Sequence, residues 1–405
     1  MSEPAAITGW GAISPVGVGA GALFERWRDG ESGLEDGLGI CDDFDPKIAM
    51  SKKEVRRTDR FVQLAVAAYE EAAQMAWPDG CPYENDRVAV VTGSAMGSPK
   101  ILEEQYEVLG SMGRQGVSPL TIPIMMANAA PAMISIRNGF TGECSSIMSA
   151  CASSAQAIAH GLNMLRRGDA DAVIVGGAES SLTELTQAAL DVTVPRSPTG
   201  VSRPFDRRRD GFVLAEGAGM LILEKRDLAE RRGAAVLGEL LGYSTTAEAR
   251  EVGQQEADGL CSGRVIELAL ANAAVEPEDV DYVNAHGTST PLNDRAETLA
   301  LKSALGDAVA GLPVSSTKSV TGHSLGAAGA VDAVATLMAL RNRTAPPTVG
   351  LEEPDDELDL NYVPDAAQPL VKRRRNGSAN GSEPLVALSN SFGFGGNNVC
   401  LVFRA

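Results

Sequence analysis

Paired cysteines, long apolar runs and a surplus of basic residues are all missing from this chain of 405 residues. Its six cysteines (Cys41, Cys81, Cys144, Cys151, Cys261 and Cys400) show no C-x-x-C spacing, which argues against a disulfide framework and against a zinc site. Free thiols and no bound metal are expected. No apolar run approaches the roughly 20 residues that a membrane-spanning helix needs. Met1 to Gly11 has neither the basic stretch nor the apolar core of a secretion signal. These absences predict a soluble, cytoplasmic protein without a membrane partner. The formal net charge of −18 disfavours nucleic acid, because neutralising phosphates requires a basic face. An acidic partner would need a local basic patch.

What is present is small and apolar. Hydrophobic residues make up 44% of the chain, aromatic residues only 4%, and glycine numbers 43. Short apolar runs bounded by small residues predict buried strands at Arg87–Gly93, Asp171–Gly177, Asp281–Ala285 and Pro384–Leu388. Apolar residues at three- and four-residue spacing predict helices at Arg60–Met75, Ala152–Arg167, Ser262–Ala273 and Ala327–Asn342. The alternation predicts a layered α/β fold. An approximate repeat predicts two related halves: Cys144–Arg167 and Lys318–Arg341 each run through a small-residue turn and a reactive-looking residue into an Ala-rich helix. Arg373–Glu383 reads as an exposed polar loop, and Glu352–Asp359 as a solvated acidic stretch.

Only three histidines occur, and two stand in turns rich in Gly, Thr and Ser. His286 follows the strand Asp281–Ala285 in NAHGTSTPLND, and His323 lies in KSVTGHSLGAAG. Strand ends followed by glycine turns are where α/β proteins place functional groups. His160, mid-helix in QAIAHGLN, reads as structural. Cys151, in SACASS, is expected at the start of a helix, where free N–H groups and the helix dipole favour a thiolate. Cys144 and Cys400 read as small buried hydrophobes. Gly393–Gly396 can turn sharply and present backbone N–H groups to an oxygen anion, although a glycine cluster alone often marks only a hairpin.

In this order the segments resemble those of the β-ketoacyl-acyl-carrier-protein synthases, particularly synthase II and the related type II polyketide ketosynthases. The resemblance runs from Ile7–Gly17 through Ala150–Ser154, Ser202–Asp206, Asp210–Val213, His286–Pro291, Ser316–Ser319 and Gly322–Gly329 to Asn390–Gly396. It implies a thiolase fold, with duplicated halves forming a five-layered α-β-α-β-α sandwich. The N-terminal half, 1–245, would contribute the nucleophilic cysteine and the C-terminal half, 246–405, the two histidines. Carried over residue by residue, Cys151 accepts the acyl group, and the N–H groups of Cys151 and Phe394 form the oxyanion hole. His286 and His323 bind the malonyl thioester oxygen. Lys318, paired with Asp332, is a positioning charge and not a base. Thr288, Thr290, Phe392, Gly395 and Gly396 are expected around the substrate, and no cofactor is implied.

Four departures from the family pattern leave the substrate open, one of them a short N-terminal stretch between Phe44 and Lys52. Asp332 stands where Glu is usual, and one methylene less would lengthen or hydrate the contact with Lys318. Asn397 replaces the commoner Thr or His, and Thr245–Ala257 lacks the usual Asp-Ala-x-His-x-Thr-x-Pro segment. The resemblance also implies an acidic acyl carrier protein as partner. Lys52, Lys53, Arg56 and Arg57 form one basic cluster on this acidic chain, and Arg203 with Arg207–Arg209 another. A homodimer is expected, with a heterodimer containing a chain-length-factor-like subunit as the alternative. The alternative activities are a polyketide ketosynthase and a non-elongating partner subunit. Such subunits lack the nucleophile that Cys151 would supply. A coenzyme-A-dependent thiolase would need a second cysteine in the C-terminal glycine turn, where this chain has Phe392–Gly396.

Overall fold

A computed structural model of the chain describes residues 3–194, 196–250, 257–373 and 383–405. Ten strands form the main path of one hydrogen-bonded sheet. Five come from the first part of the chain: β1 (Ala5–Ser14), β2 (Val88–Gly93), β3 (Cys144–Ile147), β4 (Ala172–Glu179) and β5 (Gly217–Lys225). Five follow: β6 (Gly238–Ala247), β7 (Tyr282–Asn284), β8 (Val314–Ser315), β9 (Val386–Gly393) and β10 (Asn397–Arg404).

The duplication is legible in the pairing. In space the first five run β3-β2-β4-β5-β1 and the second five β8-β7-β9-β10-β6, the same order in both halves. Directions match as well. β2 is parallel to β3 and β4, and β7 is parallel to β8 and β9, whereas the remaining pairs within each half are antiparallel. The halves join where Ala5–Ile7 of β1 meets Gly238–Leu240 of β6. Because β6 opens the second copy, the topological division lies before Gly238, and the expected division at 245/246 falls within this strand.

Helices α1 (Arg60–Ala76) and α2 (Ala129–Asn138) cover the outer face of the first half, and α4 (Leu260–Ala273) and α5 (Pro291–Leu305) the outer side of the second. Between the halves lie α3 (Ser153–Arg167) and α6 (Ala328–Arg341). The result is a five-layered α-β-α-β-α sandwich. A helix facing protein on all sides needs apolar residues all round, which is why α6 reads AGAVDAVATLMALR and buries nearly all of them. The two central helices touch at Gly329, where an added Cβ would lie 2.8 Å from the Ala155 Cβ.

Two expectations change. Cys144 is exposed, because β3 is the edge strand of its half and nothing among the described residues pairs beyond it; Cys400 is buried as expected. The stretch 352–359 is not merely solvated, since Glu352, Glu353 and Asp355 bind Arg208, Arg207 and Arg209 at 2.9, 2.6 and 2.6 Å. Most of the loop expected at Arg373–Glu383 lies outside the described residues. Among the described residues no helix is long and apolar enough to cross a membrane.

Candidate active site

Cys151 sits one residue before Ala152, the N-cap of α3, so it precedes the helix and does not open it. No acidic residue stands in the first turn. The residue before the cysteine, Ala150, is held at φ 51, in the left-handed region that costs an L-residue strain. Ser289 (φ 68) and Leu325 (φ 44), near the two histidines, are strained in the same way. Three strained residues therefore stand next to the site's cysteine and histidines.

The end of β7 delivers His286, and the turn before α6 delivers His323. Both are buried and line a cavity of about 330 Å³ together with Cys151. His323 Nε2 lies 3.1 Å from Cys151 Sγ, and the imidazole rings stand 5.4 Å apart at 86°. The Phe212 ring packs edge-on to His323 and Phe392 edge-on to His286, closing the site with apolar walls. His323 is fixed through its backbone: its N–H donates to Val213 at 2.7 Å and its carbonyl accepts from Ala215 at 3.0 Å.

Burial pushes both imidazoles well below the usual histidine range, and the Lys318 charge adds to this. Both are therefore neutral near pH 7. Burial also pushes the Cys151 thiol up to about 11, against the pull of Lys318 and of the Phe394 N–H. Desolvation thus outweighs the helix start that the sequence suggested as an activator. A neutral imidazole 3.1 Å away can accept the thiol proton and restore nucleophilicity.

The backbone N–H groups of Phe394 and Cys151 both act on the sulfur, so two donors converge where an oxyanion next to it would form. Gly393 makes this approach possible, because a Cβ there would lie 2.9 Å from the Ser149 carbonyl and 3.1 Å from the Cys151 nitrogen. Gly395 and Gly396 do not line the cavity. At φ 75 and 72 they shape the turn that aims Phe394.

Lys318 donates to Asp332 at 2.6 Å, with both side chains buried. The shorter acid therefore makes a direct contact that is not lengthened. Thr288 and Thr290 line the cavity, their hydroxyls 3.0 Å apart, and Thr290 caps α5 by accepting from Asn293 N–H at 3.3 Å. Lys52, Lys53, Arg56, Arg57 and Arg203 lie outside the cavity. The first four are exposed, on or just after the short helix Lys52–Val55, whereas Arg203 is half-buried and donates to Thr199 at 2.7 Å. Among the described residues no set of His, Cys, Asp and Glu side chains is arranged to hold a metal ion.

Sequence reasoning missed Glu297. Its buried carboxylate accepts the N–H groups of His286 and Gly287, both at 2.8 Å, and Asn390 Nδ2 at 3.1 Å. It therefore fixes the backbone of a site histidine. A buried acid eleven residues beyond that histidine, on the inner side of the next helix, leaves no mark in local spacing. Phe212, Leu325 and Asn293 were likewise invisible as cavity wall.

Residues 36–229 match the family "Beta-ketoacyl synthase, N-terminal domain", and residues 237–352 match "Beta-ketoacyl synthase, C-terminal domain". The chain is 40% identical to 3-oxoacyl-[acyl-carrier-protein] synthase 2 of Synechocystis sp., over 98% of this chain and 97% of the relative. It is 36% identical to the synthase of the same name from Staphylococcus aureus, with the same coverage. Among solved structures it is similar to the AntDE:AntF complex, a type II PKS acyl-carrier protein with its ketosynthase bound to the hexaketide. There the TM-score is 0.87 at 28% identity, covering all of both chains. It is equally similar to the ishigamide ketosynthase/chain length factor, with a TM-score of 0.87 at 29% identity, covering 100% of this chain and 99% of that one. Two consecutive family matches over most of its length, and relatives 36–40% identical from end to end, place this chain in the β-ketoacyl synthase family.

Proposed function

We propose that the chain is an acyltransferase that lengthens an acyl chain by decarboxylative condensation with malonyl-acyl carrier protein, in fatty acid or polyketide synthesis. The observation that supports this most directly is the contact between Cys151 Sγ and His323 Nε2 at 3.1 Å, beside His286, in one largely apolar cavity. In the first half-reaction His323 takes the thiol proton, the sulfur attacks an acyl thioester, and the N–H groups of Cys151 and Phe394 hold the tetrahedral oxyanion. The carrier thiol leaves with a proton, and the acyl group stays on Cys151. In the second, the malonyl thioester loses carbon dioxide. The enolate oxygen takes hydrogen bonds from His286 and His323, and the carbanion attacks the acyl thioester to release Cys151. Burial, with the charge of Lys318 tied to Asp332 adding to it, holds both histidines neutral, so that each keeps one N–H to donate and one nitrogen to accept a proton.

The carrier docks on Lys52, Lys53, Arg56 and Arg57. These are exposed and have no acidic partner among the described residues, whereas Arg207–Arg209 are occupied by the acidic segment. Arg203, bound to Thr199, is less available to a partner. A second copy of the chain covers the unpaired edge of β3 and the exposed apolar residues near it, giving a homodimer. The likeness to a ketosynthase/chain length factor supports a heterodimer as the second reading.

Intact-mass analysis tests the activity. Incubation with acyl-carrier substrates is expected to add one acyl mass to the wild type and none to Cys151→Ala. An acyl adduct on the alanine variant would overturn the assignment. Exposed Cys144 makes alkylating reagents a poorer probe than the acyl substrate itself.

A further inference from the structure

We propose that the ion pair between Arg60 and Glu216 is a positioning pair that fixes the carrier-docking segment relative to His323, so that a carrier-borne thioester reaches the cavity in register. The proposal rests on the docking reading above and adds to it the link between the docking surface and the chemistry.

Glu216 is buried, yet none of its contacts reaches the cavity. Arg60 opens α1, three residues after Arg57. Its Nη2 donates to Glu216 Oε1 at 2.7 Å and its Nε to Oε2 at 3.0 Å, a two-pronged contact. The same carboxylate accepts from the Cys41 N–H at 2.9 Å and from Ser180 Oγ at 2.7 Å. Arg60 also donates to the Cys41 carbonyl at 2.8 Å, and its guanidinium lies 5.4 Å from the centre of the Phe44 ring. One buried acid thus gathers both ends of the segment that contains the basic cluster.

The other side of Glu216 leads to the site. Its own N–H donates to Gly39, and the residues just before it hold His323: Val213 accepts the histidine N–H and Ala215 donates to its carbonyl. Phe212, on the same stretch, packs edge-on to the His323 ring. Phe212–Glu216 is therefore a single extended strip, with the backbone of His323 at one end and the anchor of the docking segment at the other. A thioester tethered to a docked carrier arrives at a place set by the docking surface, while His323 is placed by this strip. The two agree only while the anchor holds, and misplacement by about 1 Å can cost on the order of a hundredfold in rate. A free small thioester finds the cavity without reference to the docking surface.

The test compares the full chain and its Glu216→Gln variant on carrier-bound substrates and on N-acetylcysteamine thioesters. Glutamine keeps the shape of the side chain and one acceptor while removing the charge pair. For carrier-bound substrates kcat is expected to fall about tenfold or more with KM unchanged, and the kinetics on N-acetylcysteamine thioesters are expected to hold. Arg60→Lys, which keeps the charge but loses the fork, is expected to give a smaller loss of the same kind. A fall by one factor on both substrate classes, or an unchanged carrier kcat, would overturn the proposal. Failure of the underlying docking reading shows up separately: Lys52→Glu combined with Arg57→Glu would then leave the carrier KM where it was.

Discussion

At the scale of single side chains, Cys151 and the two histidines have their protonation set by the same burial. Desolvation pushes the thiol up and the imidazoles down, so the resting site is uncharged apart from the Lys318–Asp332 pair. The division of labour between backbone and imidazole donors predicts that the half-reactions separate. His286→Ala is expected to abolish malonyl decarboxylation, measured as carbon dioxide release, while Cys151 still gains acyl mass; His323→Ala, which also loses the base that takes the thiol proton, is expected to abolish decarboxylation and to slow acylation without stopping it. Equal and complete loss of acylation in both folded variants would refute this. Glu297 makes a second prediction, on stability. Burial raises its carboxyl to about 7, against the pull of the Gly287 N–H, Asn390 and the His286 N–H. Since the folded-state value lies above the unfolded one, its contribution is fully present below pH ~4.5 and is lost as pH rises through about 7. Glu297→Gln removes that decline. Its stability relative to the wild type should therefore improve between pH 5 and 7.5 in denaturant unfolding, and a pH-independent difference would contradict the linkage.

At the scale of elements, β3 ends its half with an unpaired edge, and unpaired edges attract other chains unless covered. Large apolar residues lie exposed nearby in sequence: Tyr106 is 76% exposed on helix Pro99–Met112, and Ile136 76% exposed on α2, which packs against β3. Exposure of this kind marks an interaction surface. Tyr106→Asp combined with Ile136→Asp is expected to convert a dimer to a monomer in sedimentation velocity, with the monomer's circular dichroism unchanged. An unaltered sedimentation coefficient would place the interface elsewhere. The central helices α3 and α6 were readable from their Ala-rich, three-and-four spacing. Their position between the halves is shown only by their contacts with strands of both halves and with each other.

At the scale of the whole molecule, a net charge of −18 repels an acidic carrier, so productive docking depends on local basic residues. Lys52→Glu combined with Arg57→Glu is expected to raise KM for carrier-bound substrates several-fold and to flatten its salt dependence, with little change for N-acetylcysteamine thioesters. Losses that match on both would assign these residues to the fold instead. The basic cluster at Arg207–Arg209, of equal promise in the sequence, is neutralised by Glu352, Glu353 and Asp355 more than 140 positions away. No local pattern reports a pairing at such a distance. By itself the sequence determined what short-range chemistry can write: which segments are strands or helices, which cysteine and histidines stand at turns, and the order of segments that resembles a family. Tertiary structure alone decided that Cys144 is exposed, that Glu297 holds the His286 backbone, that Asp332 reaches Lys318 directly and that the Cys151 thiol is held protonated. Each of these depends on burial or on contact between distant segments, and both are properties of the packed chain rather than of any stretch of it.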